Sequence, residues 1–381
     1  MLGGSTTFLC NLAGELVRRK VPAEIFSFSK DNPLAADFQR LNVPVFCQDD
    51  GLIFEDRLAA IWRELQRFKP TVVIANISAI SFEVLRYVPQ GVFRCGVIHT
   101  DSQGVYDSLK HYAPTLDAMA VVSQKIQANA KVLPEFANVT VAYLPLGVPM
   151  PADFQTRTFD EPLRILYLGR LSREQKRVHL LPEILEYLKV SRMPFHWTIA
   201  GDGPDASALR AAMQSNDPNQ TISFLGHVAY DNVPAIIKDH DVFLLASDYE
   251  GLPLTLLEAM GHGLIPVVSD LPSGIREVVN ESNGVRVSPD DIKGYAEAIL
   301  TLNADRRKMA ELSLNARNKV RTHFSVGAMA DRWLNAFPDG KSSPDTWPGI
   351  SKYKPILGST QSYYFSPPVR MLRRLAARFR R

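Results

Sequence analysis

Cysteine is scarce: Cys10, Cys47 and Cys95 are the only three in a chain of 381 residues. Their odd number and irregular spacing fit neither a disulfide framework nor a zinc site, which points to a reducing compartment. Long apolar runs are missing as well. No stretch approaches the roughly 18 apolar residues of a membrane-spanning helix, and the N-terminus lacks the basic-then-apolar layout of a secretory leader. The expectation is a cytoplasmic protein. A broad basic face is also absent, because the net charge is only +3 and residues 341–381 hold nine Lys or Arg against one acid, Asp345. A net acidic body with a basic tail argues against nucleic acid as a partner and gives the tail a partner of its own. There is no solenoid repeat and no low-complexity tract.

What is present is an ordinary globular composition, 46% hydrophobic and 22% charged, in a chain long enough for two cores. Short apolar runs at Ala23–Ser29, Pro44–Cys47, Thr71–Asn76, Phe93–Thr100, Asp117–Ser123 and Val139–Leu146 alternate with helical patterns. After the polar stretch 151–162, a second series follows at Leu163–Leu168, His196–Ala200, Thr221–Leu225, Asp241–Ala246 and Ile265–Ser269. Continuous apolar strands alternating with helices predict two parallel, doubly wound α/β domains. Ligands of such sheets bind beyond the carboxyl ends of the strands, so chemistry is expected in the loops that follow them, in a cleft between the domains. Gly3-Gly4 runs directly into a helix around Thr6–Arg19, although a glycine loop normally follows a strand. The first strand therefore reads as missing and the true start as lying upstream.

The strongest motif is Asp248-Tyr249-Glu250-Gly251-Leu252-Pro253-Leu254, followed by the helix-forming run to Glu258 and Met260. Pro253 suits the first helical position, and a helix N-terminus offers amides and partial positive charge to a diphosphate. Glu250 and Glu258 could accept hydrogen bonds from sugar and ribose hydroxyls; the plain alternative is a buried helix with two capping or solvated acids. Gly169, Arg170 and Lys176 leave the end of another strand, where two cations could stabilise a departing diphosphate without a metal, or simply face solvent. Gly201-Asp202-Gly203-Pro204 resembles a dinucleotide fingerprint, the best case for a nucleotide-dependent oxidoreductase. Its context fails: the unit is not the first of its domain, Pro204 intrudes, and no acid ends the next strand. His99 ends a strand of the first domain, where a lone histidine is more often structural than catalytic. Asp239-His240-Asp241 precedes its strand, the wrong end for a ligand, and reads as a surface turn.

Together, Gly3-Gly4, His99-Thr100, Val121-Val122-Ser123, Leu144-Pro145-Leu146-Gly147-Val148, Gly169-Arg170-Leu171 with Lys176, Gly201-Asp202-Gly203-Pro204, Phe224-Leu225-Gly226, the Glu250/Glu258 pair and Asn283-Gly284 resemble retaining glycosyltransferase family four. The likeness spans residues 3–337. It implies the GT-B fold, two facing Rossmann-like domains: an acceptor-side domain at 1–157, a nucleotide-sugar domain at 158–322, a crossover helix at 323–337 and a basic tail at 338–381. It further implies that Arg170 and Lys176 hold the diphosphate, Glu258 the ribose, and backbone groups of His227 and Val228 the base. Glu250 and the backbone of Gly251, Leu252, Pro253 and Leu254 would hold the donor sugar, His99 would contact it, and Gly3 and Gly4 would close over the phosphates. The activity implied is hexosyl transfer with retention and without metal or cofactor, from a UDP- or GDP-sugar to a glycan or lipid-linked acceptor in surface polysaccharide or glycolipid synthesis. Arg177 departs from the family pattern, which often has glycine there. A non-catalytic scaffold with the same fold is the remaining alternative.

The tail has two parts. Residues 338–362 read as an extended linker. Pro368–Arg381 carries six arginines and no acid. As a helix it would place Leu372, Leu375, Ala376 and Phe379 on one side, which suits peripheral contact of Arg370–Arg381 with an anionic membrane surface. A disordered solubilising tail is the alternative.

Overall fold

The computed structural model describes residues 4–27, 35–48, 54–76, 78–152, 158–215, 217, 220–337, 343–344, 347, 352–353 and 363–364. The described residues form two compact units. One is drawn from residues 9–122, 126–144 and 330–381, and the other from 1–8, 123–125 and 145–329.

The N-terminal unit contains six parallel strands: β1 (Ile25–Ser27), β2 (Val45–Cys47), β3 (Val72–Asn76), β4 (Phe93–Ile98), β5 (Ala118–Val121) and β6 (Thr140–Tyr143). They form where the apolar runs stand, and β5 is buried at every residue because the layers on both of its faces are apolar. The sheet is in two pieces. β1 pairs with β2, β3 to β6 pair in sequence order, and no ladder joins the pieces among the described residues. The helix Gly4–Arg18 buries Phe8, Cys10, Leu12, Ala13 and Leu16. It also buries Glu15, whose carboxylate is answered by Arg18 and Arg19 at 2.6 and 2.8 Å. Within the same unit, Asp331 of the helix Val326–Ala336 pairs with Arg19 at 2.5 Å, and Phe337 meets the ring of Phe93 at 5.8 Å.

The start of the tail is anchored where an extended linker was expected. Trp347 is 8% exposed, and its ring lies 5.2 Å from that of Trp62. Gln66 donates to its carbonyl at 3.2 Å. Further on, β13 (Lys352–Tyr353) pairs antiparallel with β14 (Tyr363–Tyr364). The segment Arg370–Arg381 lies outside the described residues.

The C-terminal unit carries one continuous parallel sheet of β7 (Leu163–Leu168), β8 (Phe195–Ala200), β9 (Ile222–Gly226), β10 (Val242–Leu245), β11 (Ile265–Ser269) and β12 (Val285–Val287), in the order β12-β11-β10-β7-β8-β9. The three-residue β12 was not anticipated. The chain winds outward from β7 to β9, returns to place β10 beside β7, and winds the other way. That reversal between β7 and β10 is the topological switch point of an open α/β sheet.

Of Asp239-His240-Asp241 only Asp239 is an exposed turn residue; the other two are buried, not at the surface as expected. Asp241 is fully buried and accepts from the backbone amide and guanidinium of Arg164 at 2.9 and 3.0 Å. His240, 8% exposed, sits 2.7 Å from both Thr198 Oγ1 and the carbonyl of Ile236. A buried carboxylate left without a cation is strongly destabilising, so Arg164 and Asp241 lock the amino ends of β7 and β10 together. This is the end of the sheet remote from the site.

Candidate functional site

Four loops follow the carboxyl ends of the neighbouring strands β10, β7, β8 and β9. Leaving β7, a short helix, Arg173–Lys176, ends on Arg177 in the left-handed conformation, at φ 43° and ψ 35°. This turn aims Lys176 at the loop that follows β10. Its Nζ lies 2.5 Å from Glu250 Oε1, with side-chain exposures of only 12% and 6%. The hydroxyl of Ser247 donates to the same oxygen at 2.8 Å. Behind it, the amide of Ser247 donates to Ser269 Oγ at 2.8 Å, and that hydroxyl shares a 2.7 Å hydrogen bond with Tyr295. Burial pushes the Tyr295 phenol up to about 12, so it stays protonated. Two further bonds lace the loops: the amide of Asp248 donates to the carbonyl of Gln175 at 2.9 Å, and Gln175 donates to that of Tyr249 at 3.3 Å.

Beyond Glu250 the chain enters the helix Leu254–Gly261, with Pro253 as its N-cap residue and not, as expected, its first helical position. Proline contributes no capping oxygen, so the N-cap side chain satisfies none of the first helical amides. The carbonyl of Gly251 accepts from the amide of Gly274 at 2.8 Å. A Cβ on Gly274 would stand 2.6 Å from that carbonyl oxygen, so glycine is required for this approach. Glu258 lies on the second turn. Burial raises its carboxyl to about 8, and at neutral pH it is mostly protonated. Two glutamates eight residues apart thus differ in kind: one is paired with a lysine, the other is kept neutral by desolvation.

The glycines after β7 and β8 serve close packing. Gly201 has φ 144°, and a Cβ there would lie 1.9 Å from the carbonyl oxygen of Gly169. One on Gly203 would lie 2.2 Å from that of Leu171. The amide of Leu171 donates to Asp202 at 2.9 Å, and the amide of Gly201 donates to Gly226 at 2.8 Å. The fingerprint-like run therefore nests two loops against each other, which removes the main support for a dinucleotide site. Arg170 keeps an exposed side chain while its carbonyl is held by the buried Tyr167 hydroxyl at 2.8 Å. His227 is exposed and Val228 buried, just past β9.

His99 belongs to the N-terminal unit. It follows β4, with Nε2 2.6 Å from Asn76 Oδ1 at the end of β3. Burial lowers its pKa to about 4, so the imidazole is neutral at pH 7. Gly4 is exposed and opens its helix, and Gly3 lies outside the described residues. Among the described residues no group of three or more His, Cys, Asp or Glu could hold a metal, and no helix is long and apolar enough to cross a membrane. Sequence reasoning passed over Ser247, Ser269, Tyr295, Asn76 and Gly274. Asn76 and Ser269 are the last residues of their strands and Ser247 follows β10 by two, so the strand-end rule could have found all three.

Residues 151–319 match the family glycosyl transferases group 1. WcaL of Escherichia coli, a glycosyltransferase named for colanic acid biosynthesis, is 30% identical over 280 residues, 68% of each chain. A UDP-Gal:alpha-D-GlcNAc-diphosphoundecaprenol alpha-1,3-galactosyltransferase of Escherichia coli is 30% identical over 38% of this chain and 36% of its own. Other curated relatives are matched over 30% to 51% of their length. Among solved structures, HepE of Anabaena in complex with UDP-glucose superposes with a TM-score of 0.71 at 17% identity, over 88% of this chain and 96% of that one. The protein is a glycosyltransferase of the GT-B fold. It belongs to the glycosyl transferases group 1, among relatives named for polysaccharide and lipid-linked sugar synthesis.

Proposed function

We propose that the chain transfers a sugar, with retention of anomeric configuration and without a metal, from a UDP- or GDP-sugar to a glycan or lipid-linked acceptor. The observation that carries this is the buried Lys176–Glu250 pair at the switch point of the C-terminal sheet. A cation beside the N-terminus of the helix Leu254–Gly261 supplies charge for a diphosphate, and Arg170 adds a forked donor from the same loop. Glu250 accepts hydrogen bonds from hydroxyls of the donor sugar beside the amides of Gly251, Leu252 and Leu254. Ribose hydroxyls give Glu258, half-buried on the second turn, hydrogen-bond partners. The backbone at His227 and Val228 takes the base. Neutral His99 can share a hydrogen bond with a sugar hydroxyl, which an imidazolium would only donate.

In a retaining transfer on this site, the acceptor hydroxyl attacks the anomeric carbon from the face that the phosphate leaves. The C–O bond to phosphate breaks as the new glycosidic bond forms, and the departing phosphate oxygen takes the acceptor proton. Arg170 and Lys176 stabilise the charge that gathers on the diphosphate. Calorimetric titration with UDP and GDP tests the donor site. One nucleotide binds in the presence of EDTA, and Arg170→Ala weakens it at least tenfold, about 1.4 kcal/mol. Unchanged affinity in that variant would remove the assignment.

Acceptor class rests on the relatives' printed names, one of which is a diphosphoundecaprenol-linked sugar. The arginine-rich segment Arg370–Arg381 is proposed to meet anionic lipid, each basic residue contributing about 1 kcal/mol. Vesicles containing anionic lipid should retain the full chain and release one ending at Phe337; equal retention counts against membrane contact by the tail.

A further inference from the structure

We infer that Arg177 is a positioning residue for the donor site: its guanidinium ties the loop bearing Glu250 to the helix bearing Lys176. This rests on the donor assignment above. Arg177 bridges three chain segments, since it follows Lys176 directly, reaches Asp248 at 3.2 Å, and reaches Asp290, just before the helix Ile292–Ala304, at 2.8 Å. Asp248 is two residues from Glu250, so the ion pair and the backbone bond from Asp248 to Gln175 hold both members of the Lys176–Glu250 pair within one braced turn.

Stability alone does not explain this residue. A non-glycine residue at φ 43° pays about 1–2 kcal/mol of steric strain that glycine would avoid. The guanidinium is largely buried, at 14% exposure, and its Nε has no hydrogen-bond partner among the described residues, an added desolvation cost. Its partners are the exposed carboxylates Asp248 and Asp290, at 49% and 88%, and ion pairs of that kind contribute little. A strained, buried cation that returns so little to the fold fits a role in what it positions.

The test separates positioning from support. UDP and GDP are titrated against the full chain and against Arg177→Gly, Lys176→Ala and the double variant, with a readout that reaches millimolar affinity. Arg177→Gly is expected to weaken the bound nucleotide about tenfold while the unfolding midpoint stays level or rises, because strain is relieved. In the Lys176→Ala background the same change should cost less than twofold, since the group being positioned is gone. Asp248→Asn should reproduce the single-variant loss, and it decides the matter if Arg177→Gly fails to fold. Full affinity in Arg177→Gly, or an equal loss with and without Lys176, overturns the role of Arg177 alone. Binding of neither nucleotide by the unchanged chain overturns the donor assignment and this inference with it.

Discussion

The carboxyl edges of the two sheets are built differently. In the C-terminal unit, loops after four adjacent strands are laced by ion pairs, hydrogen bonds linking the Ser247 amide, the Ser269 hydroxyl and the Tyr295 phenol, and glycine-to-carbonyl contacts. In the N-terminal unit the sheet is in two pieces, and the candidate residue at its edge is a neutral histidine beside an asparagine. Dense charge in one unit and neutral hydrogen bonding in the other fit a division of labour: a diphosphate needs fixed cations, whereas sugar hydroxyls need groups that donate and accept. The difference also predicts where substitutions are felt most.

The largest contrast is steric. Gly201→Ala would force a Cβ to within 1.9 Å of the Gly169 carbonyl oxygen at a φ of 144°, a clash with backbone that no rotamer relieves. The expected cost is about 3 kcal/mol or more, read as a lower midpoint in urea. Because this contact joins the loops after β7 and β8, surviving protein should also lose nucleotide affinity. A midpoint within 0.5 kcal/mol of the parent, on the order of a neutral surface change, would break the view of a close-packed site.

Those loops show how much was legible. Every strand expected from an apolar run is present, and Leu163–Leu168 and Ile265–Ser269 fall on their expected bounds because both are buried on both faces. β12 escaped because three residues carry no periodicity. That the candidate site residues follow strand ends was legible in the sequence, whereas their states were not. Lys176 and Glu250 are 74 residues apart, so no local pattern reveals their ion pair. The opposite environments of Glu250 and Glu258 depend on what packs over each. Asp241 was misread for the same reason: its place before a strand pointed to a surface turn, and its partner Arg164 lies 77 residues away.

A second contrast is titration. Glu258 has a folded value of about 8 against an ordinary 4.5, so the folded state holds its proton more tightly and stability falls as pH rises from about 4.5 to 8. His99 has a folded value of about 4 against 6.5, so the unfolded state holds the proton more tightly and stability falls as pH drops from 6.5 to about 4. Each group contributes a slope of at most about 1.4 kcal/mol per pH unit. Between pH 4.5 and 6.5 the two oppose each other, and above 6.5 only Glu258 acts. Thermal midpoints across this range should rise with pH up to about 6.5 for Glu258→Gln and then level off. For His99→Gln they should fall across the whole interval. Parallel pH profiles for the two variants would erase the distinction between the units.

The smallest effect separates a glycine held by packing from one that is not. Gly104 lies in the helix Gln103–Leu109 of the N-terminal unit, and a Cβ added there meets no atom within 4 Å. Alanine in its place should raise stability by about 0.5–1 kcal/mol, because glycine loses more backbone entropy on folding. Nucleotide affinity should not change, since the groups proposed to hold the nucleotide lie in the other unit. Transfer to an acceptor is the sharper measurement. If Gly104→Ala is more stable and binds nucleotide as before yet transfers sugar more slowly, the space above Gly104 is occupied by the acceptor during the reaction. The neutral edge of the N-terminal sheet would then have a ligand of its own. If transfer is unchanged as well, the glycine is a packing-neutral position, and the acceptor must be sought nearer His99 and Asn76.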